Sequence, residues 1–445
     1  MGKNTMSTNL KNSVYAVSQE SDYLTKKVRY ENKVNGKLLI MPLFSPYIRS
    51  SFDLKILTKY ISDYNYSHNL RGIVVPIDRA DLLDKVPETM KNTSLVIIDT
   101  LPEVFYYGSL KKEIYQRYSK ISGLPKEIVK LLQTPNNTQN WASKEDQYSE
   151  MIDSILLEDD VRVKLTTAVI NAQLEKDVDI VIPFSPLILN DSVSFLATQR
   201  FYEQAQRLFL GTITDIDEEL GKRIALPLFL HESILFNTKL INQIINYINT
   251  NEHASIVLKI YFSGNKNVKD LDFDQVINLS NLLKAIGIYS KFNSCPVHLL
   301  CDLSLGLISL MYGFDSYSQP FNDKQIETEG APDITKLKLR NPTIDYGKIY
   351  SMDLRKKIYH KNYVAHIKYN KNILPCPANK YCNKHISGLD VLNMKRHTFW
   401  EHARLHNLES KNYEIDEILD SIREKTIRVF KSRFNNFFNQ AILPN

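Results

Sequence analysis

Eight short apolar runs, separated by amphipathic segments, constrain the fold of this chain more than any other feature. The runs are rich in Val, Ile and Leu and alternate little, which is typical of strands buried on both faces of a parallel sheet. Segments between them, such as 163–177 and 237–250, carry apolar residues at helical spacing. The runs are KLLIMPLF (37–44), RGIVVPID (71–78), SLVIIDT (94–100), DIVIPFSP (179–186), RIALPLFL (223–230), SIVLKIYF (255–262), PVHLLCD (296–302) and GFDSYS (313–318).

This alternation predicts an α/β fold, specifically a (β/α)8 TIM-type barrel over residues 31–325. A flexible N-terminal leader is expected at 1–30. A basic, Cys/His-containing insertion, followed by C-terminal helices that pack on the barrel, is expected at 326–445. An open doubly wound sheet is the alternative, but the 14 glycines of the chain form no GxGxxG or GxxxxGK pattern. A nucleotide-cofactor fold is therefore disfavoured.

The charge of the chain is unevenly distributed. The net charge is +6 (56 basic and 50 acidic residues), yet the chain from Lys336 onwards holds 21 Lys and Arg against 10 Asp and Glu, or +11. The remainder therefore carries 35 against 40, or −5. A basic C-terminal quarter predicts an appendage that binds a polyanion such as nucleic acid. A solvated basic surface with no partner is the alternative.

Cysteine usage and hydropathy bear on the compartment. Four cysteines are too few for a disulfide scaffold in a chain of 445 residues, which favours a reducing, cytoplasmic setting. No apolar run reaches the ~18 residues that span a bilayer, so no membrane partner is expected. The first residues are polar and show no secretory signal.

Polar residues end most of the predicted strands. In a barrel the carboxyl ends of the strands converge on one face, where catalysis is usually housed. A single Asp at a strand end is also a common helix cap, so we expect only some of these side chains to line a pocket. The residues are Asp78, Asp99, Ser185, Glu232, Asp302 and Asp315.

Cysteine and histidine residues cluster late in the chain. Cys376 and Cys382 are followed within 24 residues by His385, His397, His402 and His406. Thiolates and imidazoles are the ligands that structural Zn²⁺ prefers, so this region predicts a closed, structural zinc site. Two buried cysteines beside a His-rich helix are the alternative.

Several of these segments resemble the tRNA-guanine transglycosylase superfamily, which includes relatives that insert 7-deazaguanines into DNA. The resemblance runs in order from about residue 37 to 425. SLVIIDTLPEVF places Asp99 at the position of a family aspartate, although Thr100 and Leu101 replace the Ser-Gly that follows it. LTTAVINAQLEKDVDIVIPFSP (165–186) resembles the stretch leading to the base-reading aspartate, where this chain has Ser185.

The last matching segments carry the nucleophile and the zinc motif. CPVHLLCDLSLGLISLMYGFDSYSQPF (295–321) resembles the stretch that ends in the nucleophilic aspartate, where this chain has Ser318. CPANKYC and ARLHNL resemble the zinc motif, with Cys376, Cys382 and His406 as ligands and His385 or His402 as the fourth. The middle cysteine of the family's C-x-C-x2-C is missing.

The resemblance implies base exchange on a purine in tRNA or DNA. That chemistry needs one carboxylate to displace the base from C1′ and a second to manage protons. Because serine occupies the nucleophile position, Asp315 is expected to pair with Asp99 as the catalytic carboxylates. Ser185, Ser318 and Asp302 are then expected to bind substrate.

A basic tract with aromatic residues, RKKIYHKNY (355–363), follows the predicted barrel. Basic side chains contact phosphates and aromatic rings stack on unpaired bases, so the mixture favours nucleic acid. An edge strand with a solvated face is the alternative. The residues expected to contact nucleic acid are Arg355, Lys356, Lys357, Tyr359 and Lys361.

Two other functions stay open beside base exchange. One is a barrel that binds nucleic acid and has lost the carboxylates needed for exchange. The other is a small-molecule barrel enzyme whose basic tail aids solubility or assembly. The amphipathic segment 416–443 is expected to pack on the barrel, with the face of a homodimer as its alternative.

Overall fold

The computed structural model describes the central part of the chain and several shorter pieces. The main ranges are separated by gaps, and residues near the C-terminus are described only in small groups. The described residues are 13–18, 27–32, 37–64, 71–107, 110–133, 148–211, 224–262, 268–300, 305–321, 348–351, 356–359, 404–405, 407–408, 410–412 and 414–415.

Seven parallel strands form the main sheet, in the order β6-β5-β4-β10-β9-β8-β7. Every residue of β5 to β8 is buried, as the uninterrupted apolar runs predict for strands covered on both faces. The strands are β4 (Leu43–Tyr47), β5 (Gly72–Pro76), β6 (Leu95–Asp99), β7 (Ala225–His231), β8 (Ser255–Tyr261), β9 (Val297–Leu299) and β10 (Ser316–Pro320).

The sheet is curled, and residues 180 and 181 stand between its two edge strands. Ile180 forms a parallel bridge with Ile97 of β6, and Val181 forms one with Ile224 beside β7. The Asp179 N–H donates to the Val96 carbonyl at 2.9 Å, and the Ala225 N–H donates to the Val181 carbonyl at 2.9 Å. This arrangement confirms a mixed α/β, TIM-like architecture.

Helices alternate with these strands and cover the sheet. Each amphipathic segment predicted to be helical overlaps a helix, although 163–177 runs three residues beyond the helix that ends at Leu174. Asp272 begins the longest helix with a reciprocal capping box to Gln275. The helices are α1 (Ser51–Tyr64), α2 (Glu88–Lys91), α3 (Glu103–Tyr106), α4 (Lys112–Tyr118), α5 (Lys126–Gln133), α6 (Tyr148–Met151), α7 (Asp159–Leu174), α8 (Ser192–Gly211), α9 (Thr238–Thr250), α10 (Phe273–Asn293) and α11 (Gly306–Met311).

A separate antiparallel sheet precedes the barrel-like part. Its strands are β1 (Ser13–Ser18), β2 (Lys27–Asn32) and β3 (Lys37–Met41), in that order. Most of β1 and β2 falls where a leader without secondary structure was expected. Their period-two patterns (SVYAVS, KVRYEN) suit a sheet with one solvated face and differ from the uninterrupted apolar runs of the main sheet.

The N-terminal sheet is joined to the main sheet by a buried ion pair. Lys37, the first residue of β3, donates to both Asp179 oxygens at 3.0 and 2.8 Å. Asp179 also accepts the Val96 N–H at 2.7 Å, so its carboxylate is enclosed at the amino end of β6. Such a pair is stable only while both partners stay together, which fixes β3 at this end of the sheet.

Two smaller features lie towards the C-terminus. The strands β11 (Lys348–Ser351) and β12 (Lys356–Tyr359) form an antiparallel pair. Helical residues between 404 and 415 pack on α1: the Arg404 guanidinium lies 5.0 Å from the Phe52 ring centre, and the Asn412 amide donates to the Tyr60 hydroxyl at 3.2 Å. In the described ranges, no helix combines the length and apolar character needed to cross a bilayer.

Candidate functional site

A buried cluster of charged side chains lies at the carboxyl ends of the strands. Lys259 of β8 places its Nζ 2.6 Å from Oδ2 of Asp99, the last residue of β6. The same Nζ lies 3.2 and 3.3 Å from the two oxygens of Glu103 in α3. Asp99 Oδ2 and Glu103 Oε1 both contact the same Lys259 nitrogen, at 2.6 and 3.2 Å. The distance between these two oxygens is therefore at most about 5.8 Å.

Two tyrosine hydroxyls complete this group, which we call the mouth cluster (Tyr47, Asp99, Glu103, Lys259 and Tyr261). The Tyr47 hydroxyl donates to Asp99 Oδ2 at 2.6 Å, and the Tyr261 hydroxyl donates to Glu103. The Lys259 and Asp99 side chains are both 0% exposed. Charges this deeply buried are retained only when paired, and removing one partner typically costs about 3–5 kcal/mol.

Strand register explains why these residues meet. Asp99 pairs with Pro76, and Val74, two residues earlier on β5, pairs with Tyr47. Paired residues of neighbouring parallel strands project to the same face, so Tyr47 and Asp99 share the inner face of the curled sheet. Lys259 and Tyr261 are two apart on β8 and project to this face as well.

A strained turn brings Glu103 back over the strand ends. Leu101 has φ 54°, a left-handed conformation that side chains with a Cβ rarely adopt, and its N–H donates to Asp99 Oδ1 at 3.2 Å. Backbone strain of this kind is concentrated at functional sites. The turn leads into α3, whose four residues are buried.

Helix α3 covers the mouth cluster with aromatic rings. Tyr106 meets the His231 ring at 5.4 Å, at the end of β7. Tyr107 meets the Tyr261 ring at 6.2 Å, at the end of β8. These contacts lie at the strand ends next to Lys259, whose side chain is 0% exposed.

An open pocket adjoins the cluster on the side of β4, β5 and β6. We call it the arginine pocket because Arg49, Arg79 and Arg117 line it, together with Asp78 and Glu103. It contains about 360 Å³ of space, part of which is open solvent. Glu103 therefore belongs to the buried cluster and also lines this pocket, with its side chain 4% exposed.

Burial and charge together perturb Tyr118 of α4. Its side chain is 0% exposed, and its hydroxyl meets no hydrogen-bond partner among the residues that the structure describes. Burial raises the pKa of Tyr118, and the negative charges of Glu103, Asp99 and Asp78 raise it further. The phenol therefore stays neutral beside three carboxylates.

The structure does not bring Asp99 and Asp315 together, because the two carboxylates lie at opposite ends of the sheet. Asp315 precedes β10, and its Oδ2 accepts the N–H of Val297, the first residue of β9, at 2.8 Å. The register places Asp315 about seven residues below Asp99 along the strands, or ~23 Å. GFDSYS was read as the end of a strand, whereas β10 begins at Ser316.

The two predicted pocket serines have different surroundings. Ser318 pairs with Ser45 on β4, two residues before Tyr47, so Ser318 projects to the same inner face as the mouth cluster, at a lower level. Ser185 is buried and hydrogen-bonds with Thr198 Oγ1 of α8 at 2.9 Å and with the Pro186 carbonyl at 3.2 Å. By this register, Ser318 lies nearer to Asp99 than Asp315 does.

Most of the predicted metal and nucleic-acid residues lie outside the described residues. Lys356, Lys357 and Tyr359 belong to β12, and nothing further is described of their side chains. Within the described ranges, no group of three or more His, Cys, Asp or Glu side chains is arranged to hold a metal ion. The residues that fall outside are Asp302, Arg355, Lys361, Cys376, Cys382, His385 and His406.

The residues that sequence reasoning missed are Lys259, Glu103, Tyr47 and the three pocket arginines. Lys259 carried a usable signal, because it is the one charged residue within the apolar run SIVLKIYF. A charge in the middle of a strand buried on both faces needs a counter-charge, and Asp99 at the end of another buried strand was the natural candidate. No protein-family model and no curated protein matches this chain.

Proposed function

We propose that this chain transfers a glycosyl group, with Asp99 and Glu103 as its pair of carboxylates. The proposal depends on one observation: the oxygens of these two residues lie at most about 5.8 Å apart at the carboxyl ends of the strands. Carboxyl groups separated by about 5–5.5 Å are typical of displacement at an anomeric carbon through a covalent intermediate. Active sites of TIM-like folds lie at this end.

The different surroundings of the two acids suggest different roles. Asp99 is fixed by Tyr47 and Lys259 and by the turn at Leu101, which suits a nucleophile that must attack C1′ of a nucleoside. Glu103 lines the arginine pocket and suits the group that gives a proton to the leaving base. In the second step the incoming base attacks C1′, the bond to Asp99 breaks, and Glu103 takes a proton from that base.

Charge supports a nucleic-acid substrate. The arginines beside Glu103 and the +11 charge of the chain after Lys336 both favour a phosphate backbone. A purine in tRNA or DNA would have to leave its stack to reach a site this deep. A structural zinc ion held by Cys376, Cys382, His406 and His385 stays part of the proposal.

The finer form of the fold belongs to the same proposal. Counting the segment 179–182 as a strand makes eight parallel segments, in chain order, that close on one another. That count and order are typical of a (β/α)8 barrel.

A second function is favoured by a different observation. Lys259, Tyr47 and Tyr261 already occupy oxygens of both carboxylates, and α3 covers the group. Carboxylates whose oxygens already accept these hydrogen bonds favour a barrel that binds nucleic acid without exchanging bases.

One experiment separates these functions. Labelled guanine is supplied to the full chain with tRNA and with duplex DNA, and incorporation is compared among Asp99→Asn, Glu103→Gln and Asp315→Asn. We expect incorporation by the parent to fall at least about a hundredfold in the first two variants, as for a lost catalytic group, and to persist in the third. Salt-dependent binding without incorporation by the parent would favour the second function.

A further inference from the structure

We propose that the arginine pocket is a phosphate subsite, which takes a phosphoryl group of a nucleotide next to Glu103. This inference rests on the proposed function and adds the place where the phosphate of the substrate binds. The binding it predicts can be measured without any base exchange.

Three arginines from three parts of the chain converge on this pocket. Arg49 follows β4, Arg79 follows β5 and Arg117 lies in α4. The side chains of Arg79 and Arg117 are 20% and 33% exposed, so a ligand in solvent can reach them. Guanidinium groups match phosphate geometry with two parallel N–H donors, which a lysine cannot provide.

The arginines are held in place before any ligand arrives. Arg79 donates from Nη1 to the Arg49 carbonyl at 3.2 Å and lies 3.3 Å from Asp81. The Arg49 guanidinium stacks 4.9 Å from the Tyr47 ring centre. A site whose donors are already oriented loses less conformational entropy on binding.

The lining of the pocket holds more positive than negative side chains. Three cations line it, against the carboxylates of Asp78 and Glu103, while Asp81, outside the lining, pairs with Arg79 at 3.3 Å. Glu103 shares the Lys259 ammonium with Asp99, so part of its negative charge is already balanced. Asp78 is nearly buried and accepts from Arg117 at 2.7 Å, so its charge competes with a ligand for that guanidinium.

The position of Glu103 links the pocket to the chemistry. Glu103 lines the same pocket as the arginines and contacts the same Lys259 amine as Asp99. A nucleotide whose phosphate lies on the arginines therefore directs its sugar towards the carboxylate pair. This geometry selects a phosphorylated nucleoside over a free one.

Calorimetry on the full chain tests the subsite with guanosine 5′-monophosphate, guanosine, inorganic phosphate and a short single-stranded oligonucleotide. We expect the monophosphate to bind at least about tenfold more tightly than guanosine, the worth of one charge-assisted contact. Tight binding of the oligonucleotide would identify a phosphodiester as the source, and tighter binding of the monophosphate a free nucleotide. Equal affinity for the monophosphate and guanosine would overturn the proposal.

Variants with opposite expected effects sharpen the test. Arg79→Gln and Arg49→Gln should each weaken monophosphate binding about tenfold, while Asp78→Asn should strengthen it because Arg117 loses its competing anion. Lys164→Gln, which removes an exposed cation paired with Asp160 on α7, is the matched control and should change nothing. The proposal would also be overturned if Asp78→Asn and Arg79→Gln changed the affinity for the monophosphate in the same direction.

Folding and catalysis are kept separate from this result. Circular dichroism of each variant identifies any that fails to fold. If Arg49→Gln does not fold, the Arg79→Gln variant alone tests the subsite. Persistent phosphate selectivity without guanine incorporation would leave the subsite standing and refute the proposed exchange. Guanine incorporation without phosphate selectivity would refute the subsite and leave the proposed exchange standing.

Discussion

At the scale of single residues, Lys259 is the side chain on which the site depends. It is fully buried and contacts Asp99 and Glu103, and its Nζ lies 4.8 Å from the Tyr261 ring centre. Two carboxylates and one ammonium in a space without solvent are stable only as a set. The cluster should therefore respond to substitution as a unit.

We expect Lys259→Met to lower the free energy of unfolding by about 3–5 kcal/mol, because it leaves two buried carboxylates without their cation. Urea denaturation measures the change. Lys164→Met, at an exposed site, is the control and should leave the unfolding free energy nearly unchanged. Adding Asp99→Asn and Glu103→Gln to Lys259→Met should recover part of the loss; a purely additive result would show that the three side chains are not coupled.

His253 gives a second residue-scale prediction. It packs among the rings of Tyr202, Tyr247 and Tyr289, and its Nε2 meets no hydrogen-bond partner within the described ranges. Burial lowers the pKa of His253 from 6.5 to about 4. The unfolded chain therefore takes up a proton at a higher pH than the folded chain, and stability is lost as the pH falls from 6.5 towards 4.

The expected loss from His253 is about 2 kcal/mol by pH 5 and about 3 kcal/mol by pH 4. His253→Phe keeps an aromatic ring and removes the titration, so the stability of this variant relative to the parent should rise as the pH falls. Urea midpoints at pH 5 and pH 8 for both proteins give the comparison. Parallel pH profiles would show that the pKa of His253 is the same in the folded and the unfolded chain, against the prediction.

At the scale of elements, sequence reasoning located the buried strands and the long helices but not the ends that form the site. The apolar runs were sufficient to locate the strands, because strands buried on both faces tolerate few polar residues. The position of Asp315 was missed because a strand can begin or end at an aspartate, and only the register with Val297 decides between the two. Glu103 was missed because four residues of helix leave no periodicity to read.

Close packing between α11 and β10 gives an element-scale prediction. A Cβ added at Gly306 would lie 2.3 Å from Cδ2 of the Tyr317 ring, which is itself buried. Gly306→Ala should therefore destabilise the protein by about 1–3 kcal/mol, despite the better helix propensity of alanine. Thermal unfolding measures the change. In a Tyr317→Val background the same substitution should cost less, and an equal cost would point to the backbone rather than the ring.

At the scale of the whole molecule, the two edge strands of the main sheet, β6 and β7, are joined more weakly to each other than β7 is to β8. Isolated bridges at Ile180, Val181 and Ile188 connect β6 to β7, whereas β7 and β8 pair along seven consecutive residues. Local opening is easiest where few hydrogen bonds must break together. The curled sheet should open first along this seam.

Hydrogen exchange measures this seam directly. We expect the amides of Asp179 and Ala225, which cross it, to exchange with a lower opening free energy than the Leu258 and Ile260 amides within β8. Equal protection at both places would mean that the sheet opens only when the whole protein unfolds.

The Lys37–Asp179 pair has a consequence for anyone who shortens this chain. A fragment trimmed to the parallel sheet would start at Leu43 and leave the Asp179 carboxylate enclosed without the Lys37 ammonium that contacts both of its oxygens. The minimal unit worth producing in isolation therefore starts ahead of Lys37, even though that strand belongs to the other sheet.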